Sequence, residues 1–169
     1  MSMINKINKF SKSEFTKVFA NIFENASWIA EKLYGQKPFS SYEELSLKMI
    51  NIFETCSKEK KLEILNAHPN LADKTRISSL TPDSKQEQHN AGLDQCTEVE
   101  FNEFKKLNDV YKKFGFPFIL AVKGKNKNEI LNNFRKRVLS EPEIEFGEAI
   151  KQVKKIASLR LESLNNKDI

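Results

Sequence analysis

Apolar residues recur at steps of three and four through most of this chain, the spacing that lines one face of an α-helix. Phe15, Val18, Phe19, Ile22, Phe23, Ile29 and Leu33 form the first stripe and predict one long helix. Ser11 with Glu14 reads as its capping box, and Gly35 follows its end. A second box, Ser41 with Glu44, opens a helix carrying Leu45, Met49, Ile52 and Phe53. A third helix, Lys58 to Ala67, presents Leu62 and Leu65. It stops before Pro69, because the residue preceding a proline is disfavoured in the helical region.

Residues 68 to 82 carry turn formers without a period and read as an ordered loop. Helix resumes at Pro82 or Ser84 and runs towards Gly92. Thr97 with Glu100 caps the next stripe, Phe101, Phe104, Leu107, Tyr111 and Phe114, which Gly115 closes. The run Phe116 to Val122 is continuously apolar, and periodicity alone leaves it extended or helical. Glu129 to Leu139 forms a helix with Ile130, Phe134 and Val138 inward. The last helix starts at Pro142, a residue suited to a first turn, and carries Ile150, Val153, Ala157, Leu161 and Leu164. No alternating run is long enough for a sheet. The expected fold is all-α, a single-domain bundle of about seven to eight helices over residues 1–169.

Composition narrows the classes. A length of 169 residues suits one domain, and thirteen Phe supply large buried areas. The net charge of +5 is mild, with Lys and Glu mixed along the chain rather than gathered in a nucleic-acid-binding stripe. No segment approaches the length of a membrane span. The N-terminus has charge without the apolar core of a secretory signal, and Lys167-Asp168-Ile169 is not a peroxisomal tripeptide. Cys56 and Cys96 are lone cysteines without framework spacing, so a reduced cytoplasm is the expected setting. With His68 and His89 as the only histidines and no CxxC or HExxH, a metal site is not expected.

Four stretches depart from plain bundle. His68 ends a helix and precedes Pro69, where the helix dipole favours an imidazolium suited to acid–base chemistry; a histidine bonding the last carbonyls would look the same. Ser84 and Glu87 have the spacing of a capping box, or else Glu87 partners His68 while Ser84 and Gln88 face a ligand. His89 reads as solvated. The segment Lys113 to Lys123, with Gly115 and Pro117, is either a buried connector or an irregular backbone that reads a small polar ligand. Arg160 falls on the apolar stripe, so its guanidinium either snorkels or meets an anionic or carbonyl partner. The cluster Lys123, Lys125, Lys127, Arg135, Lys136 and Arg137 reads as solvated surface or an anion-binding patch. A helical interaction module, binding protein or nucleic acid through residues 123–137, is therefore the alternative to an enzyme.

Taken together, His68-Pro-Asn-Leu-Ala-Asp-Lys74, Ser84-Lys-Gln-Glu-Gln-His-Asn-Ala-Gly-Leu-Asp94, Lys113-Phe-Gly-Phe-Pro-Phe118 and Leu159-Arg-Leu161 resemble one family. It is the decarboxylases of 2-oxo-4-hydroxy-4-carboxy-5-ureidoimidazoline (OHCU) in urate breakdown. The resemblance implies a cofactor-free carboxy-lyase that makes (S)-allantoin, is usually a homodimer, and works alongside urate oxidase and hydroxyisourate hydrolase. It implies catalytic roles for His68 and Glu87. Substrate contacts fall, by the same resemblance, on Pro69, Ser84, Gln88 and Arg160. They also fall on the backbone of Phe118, Ile119, Leu120, Ala121 and Val122.

Overall fold

Capping chemistry sets most helix starts. The computed structural model describes residues 1–73, 75–167 and 169; Lys74, which ends the 68–74 motif, and Asp168 lie outside the described residues. Among the described residues there are helices and no strand. They are Met3–Asn8 (α1), Lys12–Phe19 (α2), Ser27–Tyr34 (α3), Tyr42–Thr55 (α4), Lys58–Ala67 (α5), Pro82–Asn90 (α6), Glu98–Tyr111 (α7), Lys127–Arg137 (α8) and Pro142–Asn165 (α9). The all-α expectation holds, and the helix beyond the expected number is α1, six residues long and too short for a periodic signal. None is long and apolar enough to cross a membrane among the described residues.

Reciprocal capping boxes stand at Ser11–Glu14, Thr97–Glu100 and Asn126–Glu129. Ser41 caps α4 through Glu44 N–H, but the Glu44 carboxylate turns to Ser40, accepting from its hydroxyl and its N–H at 2.5 and 2.6 Å. Those bonds hold the Glu44 carboxyl down at about 2.

Residues 1–64 with 154–169 form one compact unit, and residues 65–153 form a second. In the first, the predicted long helix is two helices, α2 and α3, interrupted over residues 20–26. Its apolar residues other than the half-buried Val18 are still buried, with Phe15 against Phe19 and Phe23 against Phe53 at ring distances of 4.6 and 5.0 Å. The interruption has a cause in charge. Arg160, buried on α9, donates to the carbonyls of Asn21 and Ile22 at 3.0 and 3.5 Å.

The second unit is built around Tyr111, fully buried and ringed by Phe114, Phe116, Phe118 and Phe134 at 4.7 to 6.0 Å. After α7 a turn of 3-10 helix, Lys112–Phe114, ends at Gly115 with φ 81°, a left-handed conformation in which glycine carries no Cβ penalty. Residues 116–122 then run as irregular backbone, neither helix nor strand. Phe118 lies flat on Phe134, rings 3.9 Å apart and 9° from parallel. Cys56 and Cys96 are free thiols, and burial pushes both upward in pKa.

Candidate functional site

The site begins where α5 ends. His68 N–H reaches back to Leu65 O at 3.2 Å, closing a tightened last turn, and the residue is 9% exposed. Pro69 cannot donate, so the chain leaves the helix and turns through Asn70, Leu71 and Ala72. Ala72 has φ 54°, a conformation that costs a residue with a Cβ about 1–2 kcal/mol. Side chains from α6 and α7 hold the turn in place. Gln88 accepts from Ala72 N–H at 3.1 Å and donates to Asn70 O at 3.4 Å. Asn108 donates to Leu71 O at 3.1 Å. Three successive backbone groups behind His68-Pro69 are thus clamped by two amides.

Helix α6 supplies Ser84, Glu87 and Gln88, spaced to share one face. Ser84 and Gln88 are buried and Glu87 half-buried, while Lys85, Gln86 and His89 are exposed. The capping-box reading of Ser84 with Glu87 is corrected here. Thr81 is the cap, accepting from Ser84 N–H at 3.3 Å with Pro82 at the first helical position. Ser84 is a residue of the first turn, so its hydroxyl is not the cap of α6. His89 is exposed as expected, yet it pairs through Nδ1 with Asp94 at 2.6 Å. A cavity of about 330 Å³ opens along this outer side, lined by Leu80, Pro82, Lys85, Gln86, Gln88, His89 and Asp94. Neither His68 nor Glu87 lines it.

Residues 118–122 are buried throughout. Their backbone is held by side chains: Arg137 donates to Ile119 O at 2.6 Å, and Gln152 accepts from Ala121 N–H at 2.9 Å. Here a second expectation is corrected. Arg137 is not solvated surface but buried, ion-paired with Glu145 and stacked 4.4 Å over the Phe118 ring. Arg135 meets Glu103 with two bonds of 2.6 and 2.7 Å, and Lys127 meets Glu100 at 3.1 Å. Half of the six cations from Lys123 to Arg137 therefore serve intramolecular carboxylates, which leaves little of an anion-binding patch.

Arg160 lies in the first unit and is buried as its phase predicted. Its Nη1 meets Glu24 Oε2 at 3.0 Å, so the anionic partner is supplied by the chain itself. Glu24 escaped the sequence analysis because it sits in the non-helical break, where no period marks it. No three His, Cys, Asp or Glu side chains converge as a metal site would require, among the described residues.

The family model of the OHCU decarboxylases matches residues 8–162, nearly the whole chain. This chain belongs to that family. A 2-oxo-4-hydroxy-4-carboxy-5-ureidoimidazoline decarboxylase of Haloferax volcanii is 36% identical over 94% of this chain and 93% of its own. The uric acid degradation bifunctional protein of a Bacillus species is 39% identical over 97% of this chain. A solved (S)-allantoin synthase superposes with TM-score 0.77, at 30% identity over 96% of this chain. The chain spans only 32% of that Bacillus protein and 54% of the synthase. The second unit holds His68, Pro69, Ser84, Glu87, Gln88 and residues 118–122, and the first holds Arg160.

Proposed function

We propose that this chain decarboxylates OHCU to (S)-allantoin in urate breakdown. The family match over residues 8–162 carries the reading. The buried His68 beside a clamped turn supports it, as do Ser84 and Gln88 on the buried side of a helix that Thr81 caps.

Decarboxylation breaks the bond between the ring carbon and its carboxylate. CO2 departs, and the electron pair stays on the ring, whose conjugated C=N group beside that carbon takes it up. The hydroxyl left on that carbon gives up its proton to become the allantoin carbonyl, and a proton adds on one face only to the neighbouring carbon, which bears the ureido group. The protein's tasks are orientation, charge placement and that transfer. His68 delivers the proton, and Glu87 orients and polarises it. Pro69 and the backbone of residues 118–122 hold the planar ring, while Ser84 and Arg160 meet its ureido and carbonyl oxygens. Gln88 acts largely through the turn it clamps. No cofactor is required for the electron pair.

The test is a coupled assay by circular dichroism, with urate converted in place by urate oxidase and hydroxyisourate hydrolase. A rapid (S)-allantoin signal supports the reading. Slow racemic decay, unchanged by the protein, would refute it. Glu87→Gln is expected to lower turnover by about 10²-fold. The helical signal at 222 nm should stay unchanged, because Thr81 and not Ser84–Glu87 caps α6. A loss of helicity would return Glu87 to a structural role.

The same reading places the protein in the cytoplasm as a homodimer, coupled functionally to the two preceding enzymes of the assay. The relative from a Bacillus species, a bifunctional protein of uric acid degradation, supports that coupling. Light scattering at twice the chain mass is the expected result for the dimer, and a monomer mass at assay concentration would remove it.

A further inference from the structure

We propose that Arg137 and Gln152 are positioning residues for this reaction, setting how residues 118–122 are presented to the substrate. The inference rests on the reading that this segment contacts substrate, and it names what shapes the segment.

Residues 116–122 have no ladder or helix to fix their peptide groups. Two side chains take over that task at positions two apart. Arg137 Nη1 holds the Ile119 carbonyl, and Gln152 Oε1 holds the Ala121 N–H. Each holder is itself anchored. Gln152 donates to Glu148 one turn back on α9 at 2.8 Å. Arg137 donates through Nε to Glu145 Oε1 at 2.7 Å, and the Tyr111 hydroxyl donates to the same oxygen. Leu120, between the two held residues, has no freedom to rotate its peptide groups independently. Phe118, sandwiched between the Arg137 guanidinium and the Phe134 ring, fixes the entry to the segment.

Stability alone accounts poorly for this network. A buried ion pair is commonly no better than apolar residues of the same volume. Here two donors share one carboxylate oxygen and Arg137 Nη2 lies 2.6 Å from it without a hydrogen bond, while Nη2 and Glu145 Oε2 have no hydrogen-bond partner among the described residues. An unsatisfied buried oxygen costs free energy. An arrangement selected for stability would share the guanidinium across both oxygens. Nη1 lies outside this pair and is aimed at Ile119 O, which is the contact that shapes the segment.

The experiment compares Arg137→Met/Glu145→Leu/Tyr111→Phe with Gln152→Leu and Gln152→Glu/Glu148→Gln in the coupled assay, with melting temperatures measured alongside. The triple variant removes the charges together, so it is expected to melt near wild type while kcat/KM falls by about 10²-fold, the scale of a 1 Å misplacement. Gln152→Leu should raise KM and lower kcat with an unchanged melting temperature and faster hydrogen exchange at Ala121 N–H. Combined with Glu148→Gln, which supplies the amide donor that Gln152 loses and avoids two facing carboxylates, Gln152→Glu keeps the acceptor and should recover most of kcat/KM. If the triple variant does not fold, the Gln152 pair decides alone. Wild-type kcat/KM in Gln152→Leu, or equal losses in the leucine and glutamate variants, would overturn the proposal. Wild-type protein without turnover would sink the parent reading and this one with it, whereas active wild type with unaffected variants sinks this one alone.

Discussion

Replacing His68 with alanine is expected to lower kcat by about 10²–10⁴-fold, the usual contribution of a positioned proton donor. The product should change as well as the rate. OHCU decays spontaneously without facial preference, so once enzymic protonation slows, the (S) excess fades towards a racemate. Both effects are read in one dichroism trace. The fold should survive the change, because the turn behind His68 is held through the backbone of Asn70, Leu71 and Ala72 by Gln88 and Asn108. A variant that unfolds would betray itself in its melting curve. Wild-type turnover with pure (S) product would remove His68 from the proton transfer.

How far such a site can be read from sequence is best seen at single residues. Helix α5 ends where Pro69 requires, and the boxes at Ser11, Ser41 and Thr97 mark real starts, because capping is a local bond within four residues. The cap of α6 was within reach on the same grounds. Thr81-x-x-Ser84 competes with Ser84-x-x-Glu87, and Pro82 decides for Thr81, since proline is suited to the first helical position. Asn126 with Glu129 was a further readable box. The break at residues 20–26 was not readable, because its apolar residues keep a helical rhythm while Arg160, distant in sequence, takes their carbonyls.

Buried charge divides in the same way. Arg160 stood out by falling on an apolar stripe, and that argument applies equally to Arg137, three residues after Phe134 and seven after Ile130. Its neighbours Arg135 and Lys136 made it look like part of a solvated run. Composition along the chain hid what phase around the helix would have shown. The partners Glu24 and Glu145 are a different matter, since pairing across 136 residues, as for Glu24 with Arg160, is a property of the fold. For the candidate site, the residue types and order were legible in the motifs. The clamps on residues 70–72 and 118–122 were not, because a glutamine or asparagine that binds backbone has no sequence signature.

The Arg160–Glu24 pair gives the largest expected effect on stability. Its side chains are 5% and 2% exposed, so solvent screens them little. Breaking a buried ion pair by removing one partner is strongly destabilising, and Glu24→Ala is expected to cost about 3–5 kcal/mol. At about 2–4 °C per kcal/mol for a chain of this size, the melting temperature should fall by about 6–20 °C. Part of the cost comes from the break between α2 and α3, where the guanidinium also holds Asn21 O and Ile22 O. Glu24→Leu with Arg160→Met removes both charges and should recover most of the loss. The double variant then separates two roles of one arginine. If Arg160 serves only the fold, the recovered protein turns over OHCU with wild-type KM. The proposed contact with the substrate's oxygens predicts otherwise: the double variant melts near wild type, and its KM stays at least about tenfold high, the worth of one charged hydrogen bond.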